Sequence, residues 1–213
     1  MYASLFLSLP EFLKKETELR LPVVDQLANP QKELVTKYYG FINDPDAARC
    51  FGTSDINDYS YWAWRSCGIA LLKTIISHFR KESPSLFDIA TEIDNNHGYV
   101  TSDITGKKDI GWKHSSLIDY LKQHDISANS QTFLSIYHLI FEVFGNQLII
   151  ASIQSRLAKN STHLVIVSGI VKSGAELYLI IHDPYFLDGR GGKRMIAFEE
   201  FKNIFLNKGI CIK

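Results

Sequence analysis

The spacing of apolar and polar positions changes once along this chain, and the change divides it in two. From Gly68 to Phe79, apolar residues fall at Ile69, Leu72, Ile75, Ile76 and Phe79, the spacing of a helix with one buried face. Ser83-Pro84 reads as an N-cap followed by proline in the first turn and starts a second helix running to about Asn95. A third is expected over Ser115–His124, with Leu117, Ile118 and Leu121 on one side, and a fourth from near Thr132 through Phe141. Past Gln147 the pattern becomes that of buried strands: Gln147–Ile153, His163–Val171 and Ala175–Asp183 are short and rich in β-branched residues. After the loop Gly189–Gly192, Arg194–Phe198 reads as another strand and Glu199–Leu206 as a short helix. A helical half followed by an antiparallel sheet is the α+β pattern.

Residues 1–60 lack this regularity and read as an arm packed on a domain of residues 61–213, the two forming one structural unit. Within the arm the expectations are a short helix near Pro10–Thr17, a strand-like Leu21–Val24, a helix through Gln31–Tyr39 and a turn at Asn43-Asp44-Pro45-Asp46.

Composition narrows the chemistry. The chain has 213 residues, 46% of them hydrophobic, enough for a substantial core. Its 23 basic residues balance 23 acidic ones, so the basic footprint of a nucleic-acid binder is missing, as is the charge for docking on anionic lipid. The apolar start Met1–Leu9 stops at Pro10 without a basic region before it. It is a poor signal peptide and too short to span a bilayer. A cytoplasmic location is the default expectation, with export left open should a leading segment be missing. No Cys-x-x-Cys or His-x-x-x-His spacing occurs, so neither a metal nor any other cofactor is expected. The three cysteines are Cys50, Cys67 and Cys211, and an odd count leaves at least one thiol free.

Cys67 stands out because it lies at the mouth of the first helix, in Tyr61-Trp62-Ala63-Trp64-Arg65-Ser66-Cys67-Gly68. Unpaired N–H groups and the partial positive charge of a helix N-terminus favour thiolate over thiol. A base for it comes from the strand pair His163–Val171 and Ala175–Asp183. With Lys172-Ser173-Gly174 as a three-residue loop, glycine takes the left-handed position, Val171 faces Ala175, and His163 faces Asp183. Opposed residues have Cβ atoms about 4.5–5.5 Å apart, within reach of an imidazole–carboxylate hydrogen bond. A one-residue slip would set His163 against His182 or Pro184 instead. The roles that follow are His163 as base for Cys67 and Asp183 as the group fixing the imidazole tautomer.

These residues resemble the papain-like cysteine peptidases, in particular the bacteriocin-processing (double-glycine leader) peptidase family and its stand-alone relatives. The resemblance rests on Ser66-Cys67-Gly68-Ile69-Ala70-Leu71-Leu72, on Gly111-Trp112-Lys113-His114 with Leu117 and Leu121, and on Thr162–Gly169 followed by His182-Asp183-Pro184. It covers about residues 60–205 and implies a papain-like fold, with the nucleophile helix packed on the C-terminal antiparallel sheet. The family carries a glutamine shortly before the cysteine, whose amide helps to bind the oxyanion, but none lies between Gln31 and Gln123. Looser relatives place it after Pro-x-x-x-Gln, and Leu21-Pro22-Val23-Val24-Asp25-Gln26 resembles that pattern. Gln26 is therefore the candidate, ahead of Asn57, and the residues between it and Cys67 become an insertion.

Other residues have ordinary readings beside the functional ones. Trp62 and Trp64 are expected as packing or groove walls, and Arg65 either favours the thiolate or pairs with a carboxylate. Gly191-Gly192 resembles the family's cleavage motif but reads better as turn material. His114 and His182 are less well placed bases. Three functions stay open: a thiol hydrolase of peptide or amide bonds acting through Cys67–His163–Asp183 and a thioester, an acyltransferase using the same triad, and a non-catalytic peptide-binding relative. The expected partner is a peptide or protein substrate; the sequence does not indicate an oligomeric state.

Overall fold

The computed structural model describes residues 17–35, 40–81, 83–101, 109–133, 135–156, 161–174 and 176–213. Helices occupy its first half. Asp44 caps α1 (Pro45–Phe51) by accepting from the N–H groups of Asp46 and Ala47. Asp55 caps α2 (Ile56–Ala63) through those of Asn57 and Asp58. Neither helix is expected from the sequence pattern. Asn43–Asp46 is a helix start rather than a turn, because a carboxylate bonding the N–H groups just ahead of it serves both. Helix α3 spans Cys67–Arg80, and Ile69, Leu71, Leu72, Ile75 and Ile76 are all buried. Each such side chain stabilises the fold by about 1.5–3 kcal/mol. Helix α4 (Leu86–Asn95) starts two residues beyond the expected Pro84, because Ser85 and Asp88 form a reciprocal capping box. Helix α5 spans His114–Gln123 and α6 spans Ile136–Phe144.

In the arm, the two-residue strand β1 (Thr17–Glu18) pairs with Ile170 and Gly169. Leu21–Val24, expected as a strand, is an unpaired stretch that packs Leu21 into the core. The helix expected through Gln31–Tyr39 is only a 3-10 turn at Lys32–Leu34, followed by a bridge between Val35 and Ile42. Residues 36–39, and all of the expected Pro10–Thr17 helix except Thr17, lie outside the described residues.

Strands β2 (Tyr99–Thr101) and β3 (Asp109–Trp112) form a small hairpin ahead of α5. The main sheet is antiparallel and contains β4 (Ala128–Thr132), β5 (Leu148–Gln154), β6 (Thr162–Ser173), β7 (Glu176–Asp183), β8 (Gly192–Ala197) and β9 (Phe205–Ile212), with α7 (Phe198–Ile204) before the last strand. Its order is β4-β9-β5-β6-β7-β8, with β1 added on β6. Two of these strands escape the sequence pattern. Polar β4 is an edge strand, and β9 follows α7 directly, its buried Phe205 being followed by the exposed residues Leu206, Asn207 and Lys208.

Alternation along β5 and β6 sends Ile150, Leu164 and Ile166 into one apolar cluster with α1–α5, and Ile149, Val165 and Val167 into another with α6 and α7. The sheet is thus covered on both faces. Helix α3 lies close against β6 at Gly68: a Cβ there would stand 3.2 Å from both Leu164 and Trp112. A larger residue after Cys67 would require the Leu164 and Trp112 side chains to give way by a few tenths of an ångström.

Candidate active site

Cys67 is the first residue of α3 and is partly exposed. The N-cap residue Ser66 does not cap the helix with its side chain; its hydroxyl donates to the Trp62 carbonyl at 2.8 Å. The first-turn N–H groups beside the thiol are thereby left without that partner, an arrangement suited to a developing negative charge.

The β6–β7 register differs from the one expected. Ser173 pairs with Glu176, so the turn is two residues long, and Gly174 holds the positive φ of +61°. Beyond a bulge between Val167 and Gly169, Ile166 faces His182. His163 is therefore not opposite Asp183, which lies two places further along. A shift of two keeps both residues on the same face, because side-chain direction repeats every second residue. The diagonal is still bridged: His163 Nε2 lies 2.8 Å from Asp183 Oδ1. That leaves Nδ1 as the other ring nitrogen, and Cys67 is close enough to act on the charge of the ring.

Both members of the pair are buried, His163 being 8% and Asp183 1% exposed. Burial disfavours the imidazolium, but the hydrogen bonds to Asp183 and Cys67 and the charges of both outweigh it, raising the His163 pKa to about 9. For Asp183 burial acts in the opposite sense, yet His163 and Arg156 together hold its carboxyl down at about 2. Oδ1 also accepts from the Tyr185 N–H at 3.1 Å. Oδ2 accepts from Arg156, which donates in turn to Asp188, and Arg194 lies 4.0 Å away. Sequence reasoning missed Arg156. It follows β5 in an irregular stretch, with no spacing that ties it to Asp183.

Gln26, in the arm, is 4% exposed. Its backbone N–H donates to the carbonyl of Pro184, next to Asp183, at 2.8 Å. Its Nε2 approaches the carbonyl of Ala63, the last residue of α2, at 3.4 Å, while Oε1 is buried without a hydrogen-bond partner. A neighbouring bond from the Tyr59 hydroxyl to the Leu27 carbonyl, 2.7 Å, fixes this part of the arm to α2. Asn57 is exposed in the first turn of α2.

The remaining candidates have other contacts. Trp62 stacks on Trp112, with ring centroids 5.6 Å apart, and Trp64 donates to the Gly40 carbonyl at 2.6 Å. The Arg65 guanidinium lies 3.9 Å above the Tyr61 ring. His182 sits beside the Ser168 hydroxyl at 3.0 Å, and burial together with the Lys193 charge lowers its pKa to about 4. His114 Nε2 lies 3.3 Å from Ser152 Oγ, and burial followed by the Lys208 charge lowers its pKa too. Gly191 packs so closely on Tyr185 that a Cβ would meet the Tyr185 carbonyl oxygen at 2.2 Å. Cys50 is exposed and Cys211 buried. Among the described residues, no three His, Cys, Asp or Glu side chains are grouped to hold a metal, and no helix is long and apolar enough to cross a membrane.

The arrangement of helix, sheet and arm is similar to that of two solved structures. A double glycine motif protease from an AMS/PCAT transporter, crystallised in complex with the leader peptide, aligns over 92% of this chain and 94% of its own, with 15% identity and a TM-score of 0.50. A C39-like peptidase from Bacillus anthracis aligns over 93% and 98%, with 14% identity and a TM-score of 0.53. No curated protein matches the chain significantly. At these identities the two structures speak for the fold, which is papain-like and α+β. The family model of the Peptidase_C39 like family matches residues 53–209, a span that runs from before α2 into β9, and this protein therefore belongs to the Peptidase_C39 like family, with a cysteine peptidase-like function.

Proposed function

We propose that the protein is a thiol hydrolase of peptide bonds in which Cys67 is the nucleophile, His163 the general base and acid, and Asp183 the group that orients the imidazole. The observation that carries this reading is the buried His163–Asp183 hydrogen bond of 2.8 Å, next to a thiol at a helix mouth. An imidazole with a pKa of about 9 is protonated at neutral pH, so it can hold the proton that Cys67 gives up.

The Cys67 sulfur attacks the peptide carbonyl, and the carbonyl oxygen becomes an oxyanion. The Cys67 N–H and the Gln26 amide act as its donors. His163 passes its proton to the leaving nitrogen, the C–N bond breaks, and a thioester remains on Cys67. Water then attacks the thioester while His163 takes the water's proton. The carboxyl product leaves, and the proton returns to the thiolate–imidazole pair. A peptide substrate is in keeping with the leader peptide bound to the AMS/PCAT protease.

Exposed Cys50 supplies an internal reference for the test. With iodoacetamide at pH 6, Cys67 is expected to alkylate at least about tenfold faster than Cys50, as followed by peptide mass spectrometry. Equal rates would remove the activated thiol and, with it, any triad chemistry. Gln26→Ala is expected to slow peptide hydrolysis about 10²–10³-fold while leaving the alkylation rate unchanged.

A further inference from the structure

Beside Cys67 opens a cleft of about 110 Å³ whose walls include Trp64, Tyr99, Trp112 and Leu164. His163, Asp183 and Gln26 do not line it. Arg65, Ser161 and Thr162 border it as well, the Arg65 guanidinium being turned onto the Tyr61 ring and carbonyl, and two further polar side chains from different elements meet there. His114 comes from the first turn of α5 and Ser152 from β5, where it faces Leu164 across the strand pair. Their 3.3 Å contact is the only hydrogen bond found for either side chain among the described residues. Ser152 is 6% exposed, and what remains accessible borders the cleft.

A buried hydroxyl and an imidazole can make more hydrogen bonds than the one they share. The hydroxyl is one donor with two acceptor sites, and a neutral imidazole offers one donor and one acceptor. Burial and the nearby Lys208 charge both keep His114 in its neutral form. A cleft that needed only apolar recognition, or only closeness to a glycine backbone, would gain nothing from placing these groups on its wall.

We propose that His114 and Ser152 form a subsite of the substrate cleft that takes a short, uncharged polar side chain, a hydroxyl or carboxamide, on the acyl side of the scissile bond. This rests on the peptidase reading for its orientation. His163 must reach the leaving nitrogen, and a cleft bordered by Cys67 but not by His163 lies on the other half of the substrate. A partner with both a donor and an acceptor completes the bonds that the His114–Ser152 pair leaves open. An isosteric apolar side chain would strand them. Sites built to hydrogen-bond a polar group reject its apolar analogue more sharply than apolar pockets reject a polar one.

The test uses two sets of peptides differing only at the two residues before the cleavage position, each carrying serine, asparagine, valine, aspartate or glycine in turn. One set ends in a chloromethyl ketone and is scored by the alkylation rate of Cys67. The other set is unreactive and is scored by binding to the full-length Cys67→Ala protein. Serine or asparagine at one of the two positions is expected to exceed valine at least about tenfold in both readouts. His114→Ala and, separately, Ser152→Ala are expected to reduce that ratio to within about twofold, with His114→Gln restoring part of it. A ratio near one in the wild type, or one left unchanged by both alanine variants, overturns the subsite. So does a preference for aspartate over serine. Labelling of Cys67 without side-chain selectivity would refute the subsite and leave the thiol chemistry standing. Selective binding to Cys67→Ala without labelling of the wild type would do the reverse.

Discussion

His163 and His182 lie on neighbouring strands of one sheet, both more than nine-tenths buried, and their imidazoles are driven in opposite directions. Burial alone pulls both toward the neutral form. What separates them is the partner. His163 has a carboxylate on one nitrogen and a thiol beside the ring, and its pKa rises to about 9. His182 has a serine hydroxyl, a Lys193 charge nearby and an Nδ1 without a partner, and its pKa falls to about 4. The same residue type in the same sheet is thus a stored proton in one place and a neutral core group in the other. The difference lies in the partners of His163: the buried Asp183 carboxylate, which Arg156 helps to keep ionised, and Cys67 beside the ring.

The largest effect should come from taking that charge away. Asp183→Asn keeps the shape but reverses the hydrogen-bond preference, and peptide hydrolysis is expected to fall on the order of 10⁴-fold. By NMR titration the His163 pKa should then fall from about 9 toward that of His182, with the contribution of Cys67 remaining. If His163 stays near 9, the comparison fails.

Arg156 is next. Removing it with Arg156→Ala leaves the Asp183 carboxylate with one counter-charge fewer in a buried setting, and a loss of about 3 kcal/mol is expected in urea unfolding. Arg156 is partly solvent-exposed, which argues for the lower end of the range for buried pairs. A change below about 0.5 kcal/mol would make it a surface pair with no hold on Asp183.

A third variant attempts to turn one histidine into the other. Ser168→Asp places a carboxylate where His182 has a hydroxyl, and the His182 pKa should rise from about 4 to above 6, read by its ring proton shifts. No rise would mean that the backbone at the β6 bulge, and not the partner, sets its state.

The smallest signal lies in the pH dependence of wild-type stability, bounded by about 1.4 kcal/mol per pH unit for a single proton. His163, with its folded value raised, stabilises fully below about 6.5, and that contribution is lost as pH rises through about 9. His182, with its folded value lowered, stabilises above about 6.5 and loses that contribution as pH falls through about 4. Asp183 adds stability above its ordinary value near 3.8 that is lost as pH falls toward about 2. The urea midpoint should therefore peak near pH 6.5. Asp183→Asn should flatten the alkaline flank, and Ser168→Asp should remove the His182 part of the acidic flank between its raised value and about 4.

How much of this was legible from residues alone depends on whether the signal is local. Ile69, Leu72, Ile75 and Ile76 show the buried face of α3 by spacing, and the apolar runs of β5, β6 and β7 show strands covered on both faces. The capping of α1 by Asp44 was misread as a turn, because both use the same local bond. Strand β9 escapes the pattern because a sequence is read against its immediate neighbours, while its apolar residues Ile210 and Ile212 serve a core assembled from α1–α5.

The sequence by itself determined that Cys67 opens a helix and that His163 and Asp183 share a face of the sheet. The last point survived a register wrong by two residues, since side-chain direction has a period of two. Only the tertiary structure decided the register itself, which depends on the Gly174 turn and the β6 bulge. It also decided that Gln26 meets both Ala63 and Pro184, that Arg156 clamps Asp183, and that His114 finds Ser152. Those contacts join segments far apart in sequence, and no periodicity within any one segment records which distant partner the packed core will bring to it.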